Sequence, residues 1–404
     1  MNGKIFSSAR AYLCVVATTL LYGYFIPVTA FWFCFSVYLL VNSRRVAFLR
    51  DISPEPGKEP GVAIVIAVRN EEAEVERALR SVCNLDYRNK RIYVINDRST
   101  DRTPAILAGM KLKYPELTLI HIDALPPGWL GKNHALYQGY LASDEEYMLF
   151  TDADVKFSPG SFTRAMACMT GRNLDHLAVL PEINSPSKGF SSIVDTFKLM
   201  LEFRQRPWAV RDPRSSASIG IGAFNLLRRT AYEAAGTHQS IRLRPDDDLK
   251  LGERVKAAGL RQDVLYGDGE IWLEWYSGIG EFIRGLMKNT FSVSDYRLWK
   301  ALATAASVLL AFVMPIPALL IAGTPLHYLL MAGIILSQLP LYVFKRGMKG
   351  VWWYTFMVPV AGAVMTYIIV RSAFLTLRQG GIYWRDSFYA LDELKKNRQD
   401  PGGD

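Results

Sequence analysis

No CxxC pair occurs in this 404-residue chain, and it has only four cysteines. Cys14, Cys34, Cys83 and Cys168 are scattered, the first two within an apolar stretch. That excludes a cysteine-based zinc site and a disulfide framework, and it suits a reducing compartment. Charge is scarce as well: 21% of residues are charged against 50% hydrophobic. Such a balance fits an anchored or polytopic membrane protein better than a wholly soluble one. The charge that is present leans basic, at a formal +9. With no zinc-finger spacing, no aromatic ribonucleoprotein signature and no long basic run, no nucleic-acid partner is expected, and the basic excess suits an anionic membrane surface.

What the chain has instead is long apolar runs. Residues 11–41 carry no charge, which exceeds the roughly 20 residues needed to cross a bilayer. A cleaved signal peptide would have an apolar region about half as long; a hairpin broken between Gly23 and Pro27 is a further alternative. Arg44, Arg45 and Arg50 follow at once, predicting that the chain emerges on the cytoplasmic side. Further spans are predicted at 301–322, 326–344 and 351–377. The basic turn 345–349 and the residues Arg378, Arg385, Lys395, Lys396 and Arg398 all favour the cytoplasm, which three simple crossings do not satisfy. Pro359 and Gly362 leave a re-entrant last segment open. The expected layout is a membrane anchor at 1–50, a globular domain at 51–300, membrane helices at 301–377 and a basic tail at 378–404. An integral, multi-pass protein is thus expected, with its globular domain on the cytoplasmic side.

The linker 51–60 (DISPEPGKEP) holds three prolines and a glycine, so it forms no core element. Beyond it, 61–68 (GVAIVIAV) reads as a buried parallel strand. A helix is expected over 70–84, with Asn70 as its cap and Val75, Ala78, Leu79 and Val82 as its apolar face. Strands at 91–96, 117–122 and 147–151 follow, with a helix at 103–114 behind Asp101. This alternation predicts an α/β fold: a mostly parallel sheet with helices on both faces.

Ligands of such sheets sit beyond the carboxyl ends of the strands. Three strand ends are acidic or amide-rich: Arg69-Asn70-Glu71-Glu72, Asn96-Asp97-Arg98-Ser99-Thr100-Asp101 and Thr151-Asp152-Ala153-Asp154. Asp152 and Asp154, two residues apart as the chain leaves a strand, can meet one divalent cation. Hard oxygen ligands suit Mg²⁺ or Mn²⁺, with diphosphate oxygens completing the shell. Further on stand Asp246, Asp247 and Asp248. Adjacent carboxylates repel one another, which raises at least one toward a general-base range; an acidic helix N-terminus is the plainer alternative.

The ordered segments IVIAVRNEE, VINDRSTDRT, GWLGKNHAL, FTDADV and RPDDDLKLGERV resemble family 2 glycosyltransferases with the A-type nucleotide-sugar fold. The flanking spans and the GWLGK segment are most similar to members that glycosylate membrane lipids, including carotenoid and hopanoid-associated transferases. The resemblance implies a single sugar moved with inversion from a nucleotide-sugar, expected to be a UDP-sugar, to a lipid acceptor. By position, it implies that Arg69, Asn70 and Glu71 line the nucleotide pocket, that Asp97 contacts the base and that Lys132 lies beside the donor. Asp152 and Asp154 then hold metal and diphosphate. Aligned on Leu251-Gly252, Asp248 is the general base and Asp247 stands at the preceding acid; a one-residue slip would exchange them. Asn96 replaces the first acid of the usual pair. The Gln-x-x-Arg-Trp motif of processive synthases is absent, with 283–289 (IRGLMKN) where it would fall. One sugar per acceptor is therefore expected, with a processive polysaccharide synthase or a non-catalytic nucleotide-sugar-binding membrane protein as the alternatives. Trp272, Trp275 and Tyr276 are expected either at an acceptor wall or in the core.

Overall fold

The computed structural model describes residues 2–54, 59–384 and 387–396. The chain divides into two compact units, one of residues 1–45, 186–203 and 297–371, the other of 46–185, 204–296 and 372–404.

In the second unit an eight-stranded sheet runs in the order Ala47–Phe48, Gln262–Tyr266, His176–Leu180, Asn225–Arg228, Tyr147–Asp152, Val62–Val68, Lys90–Asp97, Leu117–Ile122. Every pairing is parallel except the two made by Asn225–Arg228. Val62 to Ile66 are essentially inaccessible to solvent, which is why this run is continuously apolar: a central parallel strand is covered on both faces. One face packs on Leu79, Val82, Leu107 and Phe162, the other on Ala135, Leu136, Tyr232 and Leu251.

The first helix after the central strand is Val75–Cys83, shorter than expected, and Asn70 does not cap it. Asn70 has φ 52°, and its side-chain oxygen accepts the Thr100 N–H at 2.8 Å. Asn70 therefore ties two strand-end loops together. An asparagine tolerates this left-handed geometry better than most residues. Asp101 does stand before its helix as expected, accepting the Thr103 N–H at 2.9 Å.

The first unit is apolar. Three helical stretches are long and apolar enough to cross a membrane: Val15–Ser43, Pro325–Phe344 and Trp352–Gln379. The N-terminal stretch is one helix, Asn2–Ser43, with Pro27 inside it, and not a hairpin. The expected span at 301–322 is instead interrupted. Leu298–Val308 passes into a π-helical turn, Leu309–Val313, before a short helix, Pro315–Leu320. Pro315 and Pro317 bring no N–H to the helical ladder, which favours a break there. Pro359 sits in the first turn of the helix Val358–Gln379, where its missing N–H costs nothing. Gly362 is a packing position: a Cβ there would lie 2.5 Å from the Phe312 Cβ. Trp32 donates to the Ala311 carbonyl at 2.9 Å and meets Phe312 edge-on.

The helix Lys188–Gln205 brings Glu202 against Lys345, both nearly inaccessible, at 2.8 Å. Removing one partner of a buried pair leaves an uncompensated charge, so Glu202→Gln is expected to destabilise the protein by about 3–5 kcal/mol. Thermal unfolding in detergent reads this directly, and an unchanged midpoint would mean that the pair does not hold this helix in place.

Candidate active site

Register places the expected residues on one sheet edge. Val68 is level with Asn96, and Ala67 with Asp152. Arg69, Asp97 and Asp152–Asp154 therefore leave neighbouring strands side by side. They border a cavity of about 320 Å³ whose polar side includes Arg69, Glu71, Asp97, Lys132, Asp152 and Asp154. Leu273, Trp275, Tyr276 and Tyr389 also line it. Asn70, Asp247 and Asp248 are not among its lining residues.

Asp97 is buried between two guanidinium groups. Arg98 bonds both its oxygens, at 2.7 and 3.2 Å, and Arg69 stands at 3.6 Å. A Cβ on Gly131 would come within 2.2 Å of the Asp97 Oδ2, so glycine lets the helix Gly131–Leu141 begin directly against this carboxylate. The amide nitrogen of Asn96 lies 3.0 Å from His121 Nδ1.

Lys132 joins the cavity to the three adjacent aspartates. Its Nζ lies 2.8 Å from Asp152 Oδ1 and 3.5 Å from Asp247 Oδ2. Burial alone would lower the ammonium pKa, but Asp152, Asp247 and Asp248 outweigh it and hold Lys132 charged. Asn133, next in the chain, is the residue that sequence reasoning missed. Its buried amide donates to the carbonyls of Ile241 at 2.9 Å and Arg244 at 3.0 Å. It thereby fixes the loop from which the aspartates emerge. Its place inside the GKNHAL element was the available signal.

The three aspartates part company in space. Asp246 is taken by Arg244, in a forked pair at 2.9 and 2.8 Å. Asp247 begins the helix Asp247–Ala257 and faces Lys132. Asp248 accepts the Gly222 N–H on one oxygen and the Leu249 N–H on the other, both at 2.8 Å. Burial pushes Asp248 above the ordinary carboxylate range, with Lys132 and those two N–H groups offsetting part of the rise. Asp247 is raised by burial too, again opposed by Lys132.

Glycines allow the segment carrying Gly222 to pass so close. A Cβ on Gly220 would lie 1.8 Å from the Asp248 carbonyl oxygen, and one on Gly252 2.2 Å from that of Ile219. A Cβ on Gly222 would reach the Asp152 carboxylate at 2.7 Å. Among the described residues no group of three or more His, Cys, Asp or Glu is arranged to hold a metal ion. The oxygen donors present nevertheless fit a hard cation that keeps waters and phosphate oxygens. Asp154 is raised by burial and then by the charges of Asp152 and Glu71, a repulsion that a bound cation relieves.

A parallel sheet with one reversed strand and its acids at the carboxyl edge is the A-type glycosyltransferase fold. A mannosyltransferase from Pyrobaculum calidifontis, solved with GDP-Man and Mn²⁺, shares it at a TM-score of 0.59 and 17% identity, over 88% of this chain and 98% of that one. Residues 63–236 match the model of glycosyl transferase family 2. The beta-monoglucosyldiacylglycerol synthase of Nostoc sp. is 26% identical over 48% of this chain, which spans 41% of that protein. The 4,4'-diaponeurosporenoate glycosyltransferase of Staphylococcus aureus is 24% identical over 82% of this chain and 89% of that protein.

Proposed function

We propose that this protein is an inverting, metal-assisted glycosyltransferase that moves one sugar from a nucleotide-sugar, specifically a UDP-sugar, to a membrane lipid. The observation that carries it is the Lys132 bridge between Asp152 and Asp247, which sets donor-side and base-side acids next to each other. Relatives named for products on diacylglycerol and diaponeurosporenoate support the lipid acceptor. The three long apolar helices support an integral membrane protein, and Arg44, Arg45 and Arg50 a cytoplasmic catalytic domain.

In this mechanism Arg69, Glu71 and Asp97 form the nucleoside end, with Asn70 tying together the two loops that carry them. Asp152 and Asp154 hold Mn²⁺ or Mg²⁺, which when bound neutralises charge on the leaving diphosphate. Asp248 takes the proton of the acceptor hydroxyl, whose oxygen attacks the anomeric carbon from the face opposite the diphosphate. The carbon–oxygen bond to the diphosphate breaks and its electron pair leaves with that group. Two N–H donors orient Asp248, and its pKa above the ordinary range makes it the stronger base. Asp247 holds Lys132, whose charge is within reach of a diphosphate seated at Asp152.

Membranes containing the protein, given labelled UDP-sugars and Mn²⁺ and then extracted with organic solvent, are expected to yield one labelled lipid. A ladder of products means a processive synthase instead, and label in no lipid for any donor removes the lipid acceptor.

A further inference from the structure

Aromatic side chains share the lining of this cavity with its charged groups, and one of them comes from beyond the last apolar helix. The strand Gly381–Trp384 packs on the helix Ile279–Val293, and Ser387–Ala390 pairs with it antiparallel. They place Tyr389, 7% exposed, in the cavity lining. Trp275 and Tyr276 line it too, their ring centroids 5.0 Å apart. This wall is built to be close: a Cβ on Gly285 would lie 2.3 Å from the Tyr276 hydroxyl, so only glycine lets that phenol lie on the helix.

Polarity orders the cavity. Asp97 and Arg69 mark one end. Trp275 and Tyr276 instead follow the strand Ile271–Glu274, which pairs antiparallel with Lys156–Phe157 just beyond Asp154, and they share the cavity lining with Asp152 and Asp154, so the aromatic wall stands beside the acids assigned to the diphosphate. A nucleotide-sugar stretched from Asp97 past those acids would bring its sugar ring to the aromatic wall. Flat aromatic faces suit the apolar C–H face of a pyranose, while its hydroxyls remain free for polar groups. We propose that Trp275, Tyr276 and Tyr389 form the platform for the transferred sugar, with Tyr389 a specificity-determining residue supplied by the C-terminal hairpin. This rests on the glycosyltransferase reading above. All three residues lie outside the family-matched segment 63–236, so sugar choice is carried by a part of the chain separate from the nucleotide-binding motifs.

The test uses the full chain in detergent with Mn²⁺ and titration calorimetry. UDP and GDP are compared with UDP-glucose, UDP-N-acetylglucosamine and GDP-mannose. Tyr389→Leu, which keeps apolar volume at the buried position, is expected to weaken the preferred nucleotide-sugar about tenfold and to leave its parent diphosphate within about twofold. Tyr389→Phe keeps the ring and most of the affinity. Phe388→Ala, on the exposed side of the same strand, changes neither ligand. Equal weakening of sugar and diphosphate, or no weakening of either with a raised KM for lipid, overturns the assignment. Failure of the unaltered protein to bind any of the five probes would instead remove the glycosyltransferase reading itself.

Discussion

Asp248→Asn is expected to lower turnover by about 10²–10⁴-fold while nucleotide-sugar affinity stays within about threefold, because general-base catalysis contributes on that scale. Asparagine preserves one oxygen for the Gly222 N–H at 2.8 Å and gives up the acceptor of the Leu249 N–H, so the segment beside it should stay in place while proton transfer is lost. The same residue sets the acid limb of the pH profile. Its carboxyl is raised by burial against the partial opposition of Lys132. A base works deprotonated, so kcat falls as pH drops through this raised value, with the limb above the ordinary aspartate value of about 4. The residual activity of Asp248→Asn should lack that limb. If Asp247→Asn abolishes it and Asp248→Asn does not, the base is Asp247.

Gly220→Val is expected to show the largest stability loss of any single change near the site, above about 3 kcal/mol. The new Cβ would meet the Asp248 carbonyl oxygen at 1.8 Å and its carbon at 2.6 Å. Both are backbone atoms at the start of a helix, so the clash cannot be relieved by a rotamer change. Gly109→Ala is the control. It lies inside the helix Thr103–Lys113, and its Cβ would meet nothing within 4 Å. Helix propensity then favours alanine by about 0.5–1 kcal/mol. Thermal unfolding of both variants in detergent is the measurement, and a Gly220→Val midpoint equal to the unaltered protein's would mean that the crossing can open at little cost.

Local pattern reached much of this molecule. Continuous β-branched runs such as 62–68 are strands because burial on both faces leaves no position for a polar side chain, and their ends are polar because the backbone turns there. Those two facts by themselves put Asp97, Asp152 and Asp154 on one edge. The long apolar runs at 11–41, 326–344 and 351–377 were equally legible, since length and absence of charge are properties of the chain itself. The interruption at 309–313 was not legible to the same degree, because apolar composition does not distinguish a straight helix from one with a π turn.

The aspartate triplet marks the division most sharply. Composition and spacing determined that carboxylates gather after Pro245, and that a helix follows them. Only the tertiary structure decided that Asp246 belongs to Arg244, Asp247 to Lys132 and Asp248 to the backbone of Gly222. Arg244 stands two residues from its partner, but Lys132 comes from the helix Gly131–Leu141 and Gly222 from a distant loop, brought together by Asn133 and by glycines that let one backbone cross another. Likewise, no local signal joins Tyr389 to Asp152 across more than two hundred residues. Identity and order are written along the chain, whereas the partner of a charge depends on which distant segments the core forces into contact.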